Sequence, residues 1–148
     1  MKKIILALAV SISSAAFACP NLEGSFAFSS SSTMDVSQNT DDQGITTYKI
    51  TVDDHNCAIC KYDRYLRADG RTVVRDFPIT SRKERTTVYC ENNRLKFRQT
   101  TDTFNDRGEK ITSYSEDYDY RINSDSAFVE EVIKEGVPYS KTVHPRLD

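Results

Sequence analysis

Residues 110–122 read KITSYSEDYDYRI. Tyr114, Glu116, Tyr118, Tyr120 and Ile122 fall on one side of an extended chain, and Ser113, Ser115, Asp117 and Asp119 fall on the other. Side chains of a strand point alternately to its two faces, so this period of two marks a half-buried β-strand. The pattern recurs outward from this run. ITTYKITVD (45–53) sets Tyr48, Ile50 and Val52 against Thr47, Lys49 and Thr51, and RLKFRQ (94–99) sets Leu95 and Phe97 against Lys96 and Arg98. Turn residues separate these runs at short intervals, in DDQG (41–44), ADGR (68–71), ENN (91–93), NDRG (105–108), NSDS (123–126) and EGVP (135–138). Asp69-Gly70 is the strongest hairpin signal among them.

The strands expected from this punctuation are 24–29, 33–40, 45–53, 60–67, 71–76, 84–90, 94–104, 109–122, 126–134 and 138–143. SSSS (29–32) reads as a flexible join. FPITSRKE (77–84) reads as a longer connection in which Pro78 breaks the strand. SAFVEEVIKEG (126–136) has some helical spacing in Phe128 and Val132, but its length in this context favours a hairpin strand. Many short antiparallel strands in sequence order predict an all-β fold, a single antiparallel up-and-down β-barrel of eight to ten strands. Closing such a meander removes its exposed edges. One face of nearly every strand is charged or hydroxylated, which excludes a lipid-facing transmembrane barrel.

The chain's beginning supplies an address. MKK is basic, IILALAVSISS is apolar, and AFA before Cys19 fits a small-x-small cleavage site. Residues 1–18 therefore read as a signal peptide, and residues 19–148 as a single β-barrel domain that is exported to the periplasm or beyond the cell. A lipid anchor at Cys19 fits less well, because Ala16 and Phe17 stand where lipoprotein signals carry Leu and a small residue. Loss of the first 18 of 148 residues leaves 130, with 18 Lys and Arg against 22 Asp and Glu and a net charge of −4. With no basic stretch standing out, nucleic acid is not an expected partner.

Cys19, Cys57, Cys60 and Cys90 all lie in the exported part. An even count outside the cytoplasm reads first as disulfides. HNCAICKY (55–62) lacks the helix and βαβ context that a redox Cys-x-x-Cys requires. Zinc on His55, Cys57, Cys60 and Cys90 would compete with oxidation, so no metal and no cofactor is expected. In an up-and-down meander Cys19 and Cys90 fall at one end and Cys57 and Cys60 at the other. The expected pairs are therefore Cys19–Cys90 and Cys57–Cys60, the second needing the turn that DDHN (53–56) can supply.

NLEGSFAF (21–28) resembles the opening of lipocalins and other calycin barrels, with Leu22, Gly24 and Phe26 at the positions of Leu-x-Gly-x-aromatic. The resemblance implies that Phe26 closes one barrel end, that Gly24 allows a tight entry and that Arg146 of HPRLD caps the ring by a cation–π contact. The chain has no Trp, where calycins usually have one. Cys19, Pro20, Leu22, Gly24, Ala68, Asp69, Gly70, Cys90, Asn92 and Asn93 also match a pattern that resembles small exported proteins of predatory bacteria beginning Cys-Pro-x-Leu-x-Gly. That resemblance carries no activity with it.

Catalytic motifs are lacking: there is no Gly-x-Ser-x-Gly, His-Glu-x-x-His or phosphate loop. His55 and His144, beside turn or Pro residues, read as solvated. No enzyme is expected and no catalytic residue is assigned. Tyr48, Phe97, Tyr114, Glu116, Tyr118 and Tyr120 would line the barrel interior and bind a small apolar ligand, with Glu116 as polar anchor and Arg98, Arg121 or a tyrosine hydroxyl as its partner. The alternative is an interaction module, an inhibitor of an extracellular enzyme or a structural envelope protein, that contacts its partner through DDQG, FPITSRKE and NDRG. A connected cavity of a few hundred Å³ would favour the first; a filled interior with a protruding loop would favour the second.

Overall fold

The computed structural model describes residues 19–57 and 59–148; the segment 1–18 read as an export signal lies outside the described residues. The alternating runs form ten strands. They are β1 (Gly24–Ala27), β2 (Ser32–Thr40), β3 (Thr46–Asp54), β4 (Lys61–Arg67), β5 (Thr72–Phe77), β6 (Arg82–Glu91), β7 (Arg94–Phe104), β8 (Lys110–Ile122), β9 (Phe128–Lys134) and β10 (Val137–His144). A single 3-10 turn, Pro78–Thr80, joins β5 to β6. SAFVEEVIKEG contributes β9, whose Glu130 to Lys134 pair with Tyr120 to Glu116 of β8. Among the described residues no helix is long and apolar enough to cross a membrane.

All pairing is antiparallel, but the wall is not continuous. β1–β2–β3–β4 form one sheet and β10–β9–β8–β7–β6–β5 a second. No closed single barrel is found, and the hairpin expected at Asp69-Gly70 does not pair β4 with β5. The reason lies in the turn's own bonds. Asp69 accepts from the Arg71 amide and from the Arg67 guanidinium, while the Gly70 N–H donates to the carbonyl of Val88 in β6. The turn thus hands the chain from one sheet to the other.

At the opposite junction the sheets touch through the chain that follows β10. Arg146 forms an isolated bridge with Phe26, the Ala27 N–H donates to Pro145 O and the Leu147 N–H donates to Ser25 O, both at 2.8 Å. The Arg146 guanidinium lies 5.6 Å from the Phe26 ring centre and donates to Glu23 O at 2.8 Å. Gly24 makes this approach possible: its φ is +151°, and a Cβ there would stand 2.7 Å from Arg146 Nη2.

The core lies between the sheets. Phe26, Tyr48, Ile50 and Leu66 meet Leu95, Phe97, Tyr120 and Phe128, all buried. Each large apolar side chain so buried contributes about 1.5–3 kcal/mol. Disulfides join Cys19 to Cys90 across the sheets and Cys57 to Cys60 within the β3–β4 connection. The second fits because Asp54 builds a turn, its carbonyl accepting from Cys57 N–H and its carboxylate from Asn56 N–H. All four cysteines are paired, and no free thiol is present among the described residues.

The outer face of the second sheet carries a charge ladder. Arg94, Asp119, Arg121, Glu131 and Lys141 link β7, β8, β9 and β10 in sequence. Hydrogen bonds from Arg121, aided by Lys141, hold the Glu131 carboxyl at about 2. A carboxyl depressed on folding adds stability above its unfolded value and loses it as pH falls through the folded one. The ladder is solvent-accessible, which screens it. Glu131→Gln is expected to cost about 1 kcal/mol near neutral pH. In urea denaturation the difference should shrink below pH 4.5 and disappear only below about pH 2.

Candidate functional site

Register fixes which side chains share the inner face. Val88, Phe97, Tyr118 and Val132 form one row across β6–β9, and Thr86, Gln99, Glu116 and Lys134 form the next. The Phe97 and Tyr118 rings stack with centroids 4.1 Å apart, and Tyr120 packs edge-on to Phe97 at 5.3 Å. From the other sheet Arg64 of β4 lays its guanidinium 4.4 Å above Phe97 and 5.4 Å from the Tyr118 ring. That guanidinium covers the stacked pair from the opposite sheet.

Glu116 does have an inward neighbourhood, but its partners differ from Arg98 and Arg121. Those two arginines point outward, to Asp117 and to Glu131. Glu116 accepts from Lys134 Nζ and from the Tyr118 hydroxyl, each at 2.8 Å. The Lys134 hydrogen bond holds its carboxyl below the usual range. Burial, reinforced by Glu116, pushes the Tyr118 phenol up to about 12. Burial likewise raises Tyr120 and Tyr48. The Tyr48 hydroxyl donates to Pro20 O at 2.6 Å and so anchors the N-terminal segment.

Tyr114 is 42% exposed, apart from this cluster. The cause is length: β7 and β8 run 11 and 13 residues, whereas β3 and β4 run 9 and 7, so the far end of the second sheet overhangs. His144, expected in solvent, is instead buried as the last residue of β10. It stacks on Phe28 at 5.2 Å, with Nδ1 3.3 Å from Ala27 O and Nε2 3.9 Å from Glu130. Burial raises the Glu130 carboxyl, and the His144 and Arg64 charges oppose that rise. Arg64, Lys134, Glu130 and His144 are the groups sequence reasoning missed. Arg64 had a signal, since it alternates in phase with Tyr62 and Leu66 on β4.

The interior keeps a void of about 110 Å³ between the sheets, lined by apolar side chains together with Arg64, Tyr120 and Glu130. Small-molecule sites span roughly 300–1,000 Å³. Larger spaces open at the rim. A shallow groove of about 620 Å³ runs beside the β5–β6 tip, with Phe77, Pro78 and Phe104 in its wall. Ile79, at the crest of that tip, is 99% exposed. Comparison with protein-family models, with curated proteins and with solved structures finds no match.

Proposed function

We propose that the protein is an exported interaction module that grips another protein by the overhanging end of its second sheet. The observation that carries this reading is a contrast. Arg64, Phe97 and Tyr118 pack against one another between the sheets and leave only a small void there, while Phe77-Pro78-Ile79 presents apolar surface at an ordered turn. A fully exposed isoleucine on a structured tip suits insertion into a partner's pocket. The flanking groove and the neighbouring NDRG turn supply the rim of the contact.

In this reading the two sheets are halves of one calycin-like meander, joined at β1 by Arg146 and left unclosed between β4 and β5. The Phe26–Arg146 cap and Gly24 support that likeness. Two disulfides support export, because such bonds persist in oxidising compartments. An apolar ligand held within the wall has far less support, given a void that is small and bordered by charge.

Native mass spectrometry on protein purified from its own envelope tests the proposal. The expected result is a protein partner, no retained small molecule, and loss of the partner in Ile79→Asp. A stoichiometric apolar ligand in place of a partner would overturn it.

A further inference from the structure

Where β4 and β5 part, a cleft of about 260 Å³ opens toward the core. Arg64 and Arg67 of β4, Arg71 of the turn and Arg75 of β5 line it, with Asp63, Asp69 and Glu84. The three acids are already engaged, Asp63 by Lys49 at 3.0 Å, Asp69 by Arg67 at 3.3 Å and Glu84 by Arg82 at 2.7 Å. Arg67 is engaged as well, by Asp41 and Asp69. Arg64, Arg71 and Arg75 form no ion pair among the described residues. In a chain of net charge −2, whose cations are mostly paired, this is a local excess of three guanidinium groups. Arg64 is also held in place, by the Phe97 ring and by Gln99 Oε1 at 3.5 Å.

The same cleft is bounded by a bare strand edge. β4 pairs only with β3. Ala68 N–H donates to Thr46 O and Cys60 O accepts from Asp54 N–H, so even-numbered residues of β4 face β3. The backbone groups of Asp63, Tyr65 and Arg67 therefore face the gap. An unpaired edge invites a further strand, and unpaired guanidinium groups favour carboxylates on it.

We propose that this seam is a second binding site, which takes an extended acidic segment of a partner protein as an added strand on β4, its carboxylates on Arg64, Arg71 and Arg75. The site is separate from the Phe77–Ile79 tip and stands whether or not that tip docks a protein.

Fluorescence anisotropy with the oxidised protein tests it, using a labelled octapeptide of alternating Glu and Val and its Gln–Val counterpart. The acidic peptide should bind about tenfold or more tighter than the neutral one, and more weakly as salt rises. Arg71→Gln combined with Arg75→Gln, both at exposed positions, should weaken it by about tenfold or more while the urea midpoint stays put. Bound peptide should slow amide exchange at Asp63, Tyr65 and Arg67, and Ile79→Asp should leave its affinity unchanged. Equal binding of both peptides would overturn the proposal, as would no binding. So would displacement by free glutamate or inorganic phosphate beyond that caused by sodium chloride at the same ionic strength, which marks a small-anion site, or self-association of the protein through β4.

Discussion

Replacing Cys19 and Cys90 together by alanine is expected to destabilise the protein by about 4 kcal/mol. The bond spans 71 residues of sequence and ties the segment before β1 to the end of β6, one sheet to the other. Chain-entropy arguments give a bond closing so long a loop roughly that value. It also anchors Leu22, fully buried, and Pro20, whose carbonyl receives the Tyr48 hydroxyl. Cys57–Cys60 spans three residues within one connection, and its removal should cost about 1–2 kcal/mol by the same argument. Domains of this size are stable by about 5–15 kcal/mol in total, so the first loss brings the fold near its limit and the second does not. Urea denaturation of the two double variants measures the difference. Equal costs would contradict a role for Cys19–Cys90 as the cross-sheet staple.

Phe97→Ala is expected to cost about 3–5 kcal/mol. The ring is 1% exposed, stacked on Tyr118, edge-on to Tyr120 and covered by Arg64, so its loss opens a cavity bordered by a guanidinium. Tyr118→Phe keeps the stack and loses the bond to Glu116, a cost of about 1 kcal/mol. Tyr114→Ala, on the overhang, should stay within about 0.5 kcal/mol. Urea midpoints of the three variants rank them. A Tyr114→Ala cost equal to that of Phe97→Ala would mean that the aromatic face is buried along its whole length, which this fold denies.

Alternation made the strands legible. Tyr48, Ile50 and Val52, or Leu95 and Phe97, declare an inner face without help from tertiary context, and strand parity along the meander places Cys19 beside Cys90. Tyr114 shows where that logic stops. It has the same phase as Tyr118 and Tyr120, but phase does not reveal how far the opposite sheet extends. The β4–β5 junction was illegible for a related reason. Asp69-Gly70 carries a local hairpin signal, and a bond to Val88, in β6, redirects it. His144 looked solvated beside Pro145, yet the pairing of Ala27 with Pro145 draws that segment against β1 and buries the ring. The Lys134–Glu116 contact depends on the register between β8 and β9, which neither strand specifies alone.

Amide hydrogen exchange along β4 tests the central claim, two sheets packed on a filled interior and unjoined between β4 and β5. In the free monomeric protein Arg64 and Leu66, whose amides face β3, should be protected. Asp63, Tyr65 and Arg67, whose amides face the gap, should exchange as open backbone does. Protection at all five positions would mean that β4 and β5 pair in solution, and the account of an open seam would be wrong.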